Sequence, residues 1–166
     1  MSSAAVVLLA AGLAAATVID LRSRRIPNEL TAAMAISGLA LAAAGVSGVT
    51  IAASIAGLVI GLVLMLPGHA LGATGAGDVK LMAAVGAIVG PGLVFYAFVC
   101  TSLAGGVLAV VVAVRRRRLG ATLARTGRLV AAPGAAPGEL KAAGAASRFA
   151  YGPAIAVGSM IAVLIS

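Results

Sequence analysis

Four acidic side chains are the only carboxylates that this 166-residue sequence offers for chemistry: Asp20, Glu29, Asp78 and Glu139. Two carboxylates that face each other can share a proton, so that one acts as a base on water and the other as an acid. Asp20 ends one apolar stretch and Asp78 begins another. Glu29 is expected in the first turn of a helix and Glu139 in a solvated polar segment. The sequence therefore selects Asp20 and Asp78 as a candidate acid–base pair.

The other reactive side chains do not form a second candidate site. The one cysteine, Cys100, lies inside an apolar stretch, where helix packing explains it, and the chain contains no CxxC motif. The one histidine, His69, has no metal-ligating partner at a useful spacing. We therefore expect no metal and no cofactor, and a chemistry that depends on the two aspartates.

The composition is that of a membrane protein. Hydrophobic residues make up 62% of the chain, and charged residues make up 10%, whereas soluble domains carry about 25% charged residues. The net charge of +8 could indicate nucleic-acid binding. However, the basic residues lie in short patches between apolar stretches, which fits anionic lipid headgroups better. We therefore expect the lipid bilayer, and no nucleic acid, as a partner.

The apolar stretches predict an all-α fold in which six transmembrane helices form a single domain, residues 1–166. A short turn at 47–50, a breaker-rich stretch at 67–78 and a turn at Pro91 separate the middle helices. Asn28, after Pro27, is expected to be the N-cap of the second helix. The first apolar stretch lacks a positive segment before it, so we expect a retained helix and not a signal peptide. The predicted helices span about 4–19, 29–46, 51–66, 79–90, 93–114 and 149–165.

The twelve basic residues predict the orientation of these helices. They lie in three regions: 22–25, Lys80 and 115–148. All three regions fall on one side if both termini are outside, and the positive-inside rule makes that side the cytoplasm. Asp20 and Asp78 would then lie near the cytoplasmic face of the cytoplasmic membrane. The segment 115–148 is expected to be a flexible cytoplasmic loop because it contains PGAAPG.

Residues around the two aspartates have both a functional and a structural interpretation. Gly75 and Gly77 would let an extended peptide backbone approach Asp78. Taken singly, Asp20 could pair with Arg24, and Asp78 could be a helix N-cap. Further candidates are equally compatible with a role in shaping the site and with a local role at a helix end: Lys80, Tyr151, Gly152 and Pro153.

Three segments, in order, resemble those of type IV prepilin peptidases in the short form that serves Flp/Tad-type pili. They are DLRSRRIPN (20–28, which includes Pro27 and Asn28), GAGDVKL (75–81) and FAYGPAIAVG (149–158). The resemblance implies a GxGD-type aspartic peptidase with Asp20 and Asp78 as its catalytic residues. It also implies a prepilin substrate, made of a basic leader and an N-terminal hydrophobic helix, that is cut after a glycine on the cytoplasmic side. Longer members carry paired CxxC motifs and methylate the new N-terminus, so we expect no methylation here. Archaeal preflagellin peptidases share the aspartate pair, which leaves the substrate class open.

Two other classes of function fit a small membrane protein. In a proton-coupled transporter, Asp20 and Asp78 would carry protons, but such groups usually lie near the membrane midplane. A non-catalytic subunit of a pilus or secretion machine would need no matched pair of acids. The placement of both aspartates at predicted helix ends therefore favours the peptidase.

Overall fold

The computed structural model describes residues 1–72, 74–115 and 151–166, and every regular element in these ranges is a helix. The prediction of an all-α fold is confirmed for this part of the chain. Most of the predicted 115–148 loop lies outside the described residues, as do Glu139 and the start of the predicted sixth helix. The helices are α1 (Ser3–Ser23), α2 (Asn28–Ala43), α3 (Ile51–Ala70), α4 (Ala76–Arg115) and α5 (Gly152–Ile165).

Three segments in the described ranges are long and apolar enough to cross a membrane: Ser3–Ser23, Ile51–Ala70 and Ala76–Val111. Helices α2 and α5 are also apolar but shorter, with 16 and 14 residues. A helix needs roughly 20 residues to cross the hydrocarbon core. The chain is therefore a membrane protein, with five described helices where the sequence predicted six.

The difference in number arises in α4, which contains a break at Gly90 (φ 80°, ψ 178°) just before Pro91. The sequence predicted two helices separated by a turn here. A straight α4 would place Gly105 about 40 Å from Asp78. Yet the Tyr151 side chain packs against Gly105, and the next residue, Gly152, bonds to Asp20 at the end of the bundle where Ile26 packs against Gly77, next to Asp78. Helix α4 therefore folds back at Gly90 into a first arm (76–89) and a second arm (91–115).

Three predicted helix ends are wrong: α2 ends at Ala43 and not at 46, and α1 and α3 are both longer than predicted. Helix α1 continues past Ile19 to Ser23, so Asp20 lies inside the helix. The helix ends there because Arg24 adopts a left-handed conformation (φ 52°) and donates its backbone N–H to the Asp20 carbonyl, at 2.8 Å. Helix α3 continues through Pro67 to Ala70, because its last turn is closed by the Leu71 N–H bonding to the Pro67 carbonyl at 3.1 Å.

The first arm of α4 forms the centre of the molecule. Every residue from 81 to 90 is buried, so this arm is covered on all sides. Helix α3 packs most extensively on α4, and α2 and α5 also pack against it. The buried face of α1 has helical spacing and ends at Asp20; its members are Ala5, Leu9, Gly12, Leu13, Ala16 and Asp20. The buried face of α1 therefore extends from the core of the bundle to Asp20, the first candidate carboxylate.

Different segments of the chain lie at the two ends of the helix bundle. At one end, the Ser2 N–H donates to the Ser47 carbonyl at 3.2 Å, and a Cβ at Gly90 would lie 3.3 Å from Val49. The N-terminus, the α2–α3 connection and the break in α4 therefore share this end. Helix α1 and the first arm of α4 carry Asp20 and Asp78 to the other end.

Candidate active site

Asp20 and Asp78 come together at the end of the bundle where α1 ends and where α4 and α5 begin. Their side chains are only 5% and 8% exposed. Ile26 packs against Gly77 and Lys80 bonds to Asn28, so the chain that follows α1 lies against the start of α4. The two carboxylates therefore share this end of the bundle although 58 positions separate them in the chain. The structure therefore brings the two carboxylates selected from the sequence into one site.

Asp20 is fixed by the start of α5. Its Oδ2 accepts a hydrogen bond from the Gly152 N–H at 2.8 Å. Gly152 is buried against the carboxylate, because a Cβ at this position would lie 2.9 Å from that same oxygen. Arg24, the alternative partner suggested by the sequence, contacts Asp20 through its backbone and keeps an exposed side chain. The carboxylate thus faces the interior of the bundle.

Asp78 lies in the first turn of α4, at the third helical position, and not at the N-cap that the sequence offered as an alternative. Its Oδ2 accepts a hydrogen bond from the Gly75 N–H at 2.9 Å, while its own N–H donates to the Gly75 carbonyl at 3.1 Å. The side-chain bond is one half of a capping box, in which the carboxylate at the third helical position accepts from the N-cap N–H; Gly75 has no side chain to supply the other half. Asp78 therefore both stabilises the start of α4 and presents a carboxylate to the site.

The two glycines of the GxGD segment have different surroundings. Gly75 is exposed, and a Cβ on it would lie 3.2 Å from Asp78 Oδ2, so the glycine keeps the space beside the carboxylate open. A Cβ on Gly77 would instead lie 3.1 Å from the Ile26 side chain. Gly77 therefore allows the α1–α2 connection to pack against the start of α4.

Lys80 and Asn28 join the starts of α4 and α2. The Lys80 ammonium donates to Asn28 Oδ1 at 2.7 Å, and both side chains are exposed. The prediction that Asn28 is the N-cap of α2 is wrong: Pro27 occupies that position without a capping hydrogen bond, and Asn28 is the first helical residue. Glu29 lies exposed in the first turn of α2, where the sequence placed it.

Tyr151, Gly152 and Pro153 form the start of α5, and Gly152 brings this helix start to Asp20. Pro153 stands in the first turn, where a proline is well tolerated. The half-buried Tyr151 ring packs against Gly105, where a Cβ would lie 2.6 Å from the phenol oxygen. Sequence reasoning missed Gly105; the Gly105–Gly106 pair inside an apolar helix was the available signal.

His69 is a second residue near the site that sequence reasoning left without a role. It lies in the last turn of α3, with Nδ1 3.1 Å from the Thr74 carbonyl oxygen, and the GxGD segment that carries Asp78 follows Thr74 directly. In the described ranges, no group of three or more His, Cys, Asp or Glu residues could hold a metal ion. The chemistry that this arrangement offers is that of the carboxylate pair.

Comparison with known proteins identifies the family. Residues 7–110, well over half of the chain, match the model of the type IV leader peptidase family, and both Asp20 and Asp78 lie within this range. No curated protein and no solved structure gives a significant match. A peptidase is thereby favoured over the transporter and the assembly subunit. An all-helical membrane protein that matches this model over most of its described length belongs to the type IV leader peptidase family.

Proposed function

We propose that this peptidase is a membrane-embedded aspartic endopeptidase whose catalytic residues are Asp20 and Asp78. The observation that carries the proposal is the buried pair of carboxylates at one end of the bundle, supplied by α1 and α4. Ionisable residues in membrane helices are costly and usually functional. Two of the four acidic side chains in the chain occupy this one place.

The pair supports peptide hydrolysis by general acid–base catalysis. One carboxylate takes a proton from a water molecule that attacks the scissile carbonyl, and its protonated partner donates a hydrogen bond to the carbonyl oxygen. The leaving amine then receives a proton from the pair. Because the two groups share a proton, they act as one unit and not as independent residues.

The proposed substrate is a prepilin of the Flp/Tad type, cleaved after a glycine between its basic leader and its N-terminal hydrophobic helix. Membership of the leader peptidase family and the three motif resemblances support this choice. The exposed Gly75 leaves room for an extended backbone beside Asp78. Around it, Pro27, Asn28, Lys80, Tyr151, Gly152 and Pro153 would shape the site.

The same proposal includes six membrane-crossing segments and a cytoplasmic active site. The two arms of α4 run in opposite directions from Gly90 and would count as two crossings. The basic residues Arg22, Arg24, Arg25 and Lys80 cluster at the Asp20–Asp78 end of the bundle. The positive-inside rule then places this end in the cytoplasm, with both termini outside the cytoplasmic membrane.

The decisive experiment compares four amide substitutions for processing of a candidate prepilin at matched membrane levels. Asp20→Asn and Asp78→Asn should each abolish cleavage, because the amide keeps the side-chain size and removes the ionisable group. The double variant should be no worse than either single variant. Glu29→Gln and Glu139→Gln are matched controls that should keep substantial activity. Normal processing by either Asp variant would refute the aspartic mechanism.

A further inference from the structure

The last turn of α3 holds the segment that precedes Asp78 through both backbone groups of Thr74. The Thr74 N–H donates to the Gly68 carbonyl at 3.3 Å. The Thr74 carbonyl lies 3.1 Å from His69 Nδ1. In addition, a Cβ on Gly68 would lie 3.3 Å from Thr74 Oγ1, so the Thr74 side chain packs against the same turn. Thr74 is therefore fixed against α3 immediately before the GxGD segment.

The chemistry of the contact assigns the proton on His69. A carbonyl oxygen only accepts hydrogen bonds, so Nδ1 must carry the hydrogen. The histidine therefore donates through its δ nitrogen whether the ring is neutral or charged. A positive charge is not needed for the contact.

His69 and Asp78 hold the two ends of the same peptide unit. The Thr74 carbonyl, which faces His69, and the Gly75 N–H, which donates to Asp78 Oδ2 at 2.9 Å, belong to one planar group. In a trans peptide these two bonds point in opposite directions, so fixing one fixes the other. Each of these two hydrogen bonds also polarises the peptide group, and this polarisation strengthens the other hydrogen bond.

We propose that His69 is a positioning residue that orients the Asp78 carboxylate through the Thr74–Gly75 peptide. This inference rests on the proposed function, since it assigns Asp78 to the reacting pair. His69 acts on the geometry of Asp78 from an exposed position at the edge of the site. It needs an N–H group at the δ position, and it needs neither charge nor proton transfer.

Matched substitutions separate this role from a direct electrostatic or acid–base role. His69→Asn places an uncharged amide N–H at the δ position, whereas His69→Gln places the same group one bond further out. His69→Ala removes the donor. We expect Ala and Gln to lower kcat by about tenfold or more and to change KM by less than about twofold, because the reacting group is misplaced while substrate binding is not. Asn should restore kcat to within about threefold of the wild type.

The experiment measures hydrogen–deuterium exchange over residues 71–78 in the full-length protein, alongside cleavage kinetics. A synthetic peptide with a basic leader, a glycine and an apolar helix serves as substrate. Exchange should be faster in His69→Ala and His69→Gln, and close to wild type in His69→Asn, at equal melting temperature. Unchanged exchange in His69→Ala, or exchange in His69→Asn as fast as in His69→Ala, would overturn the proposal. Because exchange is read without cleavage, an inactive wild type would refute the proposed function alone.

Discussion

At the scale of single residues, both aspartates are held in the same way although they come from unrelated segments. Each accepts a backbone N–H at the start of a helix through Oδ2: Asp20 from Gly152 of α5 and Asp78 from Gly75 before α4. A buried carboxylate without partners is costly. The positive end of a helix offsets part of that cost without a basic side chain. Helix starts thus provide the electrostatic environment of both carboxylates.

This arrangement predicts that Gly152→Ala will damage the site. A Cβ at position 152 would lie 2.9 Å from Oδ2 and 3.1 Å from Cβ of Asp20, so the carboxylate must move. A displacement approaching 1 Å can reduce a rate by about a hundredfold, and we expect a loss of at least about tenfold. Prepilin processing at matched membrane levels measures it. Gly92→Ala is the control, because a Cβ there meets open space. Equal processing by the two variants would contradict the prediction.

The sequence identifies the two aspartates and names Gly75 and Gly152 as candidates, but it does not predict that the N–H groups of these glycines hold the carboxylates. Their scarcity and their position beside apolar stretches are visible in the sequence, whereas the Asp20–Gly152 bond joins positions 132 apart. Asn28 has a strong local preference for the N-cap, yet Lys80, 52 positions away, bonds its side chain instead. Local propensity therefore fails where a distant partner competes for the same side chain.

At the scale of elements, the contact between α3 and α4 depends on residues with little or no side chain. A Cβ on Gly57 would overlap the Gly86 carbonyl oxygen, and a Cβ on Gly61 would overlap that of Met82. On the same face of α3, the buried Ser54 hydroxyl donates to the Ala87 carbonyl. Small residues let membrane helices approach backbone to backbone. This contact fixes the position of the first arm of α4 along α3, and hence the position of Asp78 along the bundle.

We therefore expect Gly57→Ala to destabilise the protein. The added methyl group must separate α3 from α4, and such overpacking costs about 1–3 kcal/mol. Thermal denaturation in detergent should show a lower melting temperature. Gly106→Ala is the matched control in an apolar helix, since a Cβ there meets nothing within 4 Å and alanine favours a helix over glycine by about 1 kcal/mol. A melting temperature for Gly57→Ala as high as that of Gly106→Ala would disprove the role of this contact.

The sequence locates the helices but misjudges several ends. Apolar stretches locate α1 to α3, and the fourth helix begins at Ala76, three residues before the predicted start at 79. Pro67 looked like a breaker, yet it removes only one donor, and α3 continues for three more residues. The sequence predicted a turn at Pro91, and the structure places the reversal one residue earlier, at Gly90. Such differences depend on local hydrogen bonds that composition does not encode.

At the scale of the whole molecule, the exposed basic side chains and the two candidate aspartates lie at the same end of the bundle. The exposed residues Arg22, Arg24, Arg25 and Lys80 lie at the end that holds Asp20 and Asp78. At the other end, residues 44–50 carry no charged side chain and pack near the N-terminus and Gly90. By the positive-inside rule the positive end of a membrane protein is the cytoplasmic end, where the proposed leader would reach the two aspartates. The end of the bundle that carries the basic side chains is thus also the end that carries the candidate site.

This asymmetry predicts which positions a membrane-impermeant thiol reagent can reach in intact cells. The native cysteine is first replaced by Cys100→Ser. Val46→Cys and Gly92→Cys should be labelled from outside, because both positions are exposed at the uncharged end. Val46 is chosen over its neighbour Ser47, which is only 1% exposed. Ser23→Cys, at the end of α1 beside the arginines, should be labelled only after lysis, which serves as the control for reactivity. Labelling of Ser23→Cys in intact cells, with protection of Val46→Cys, would reverse the orientation and place the two aspartates on the side away from a cytoplasmic leader.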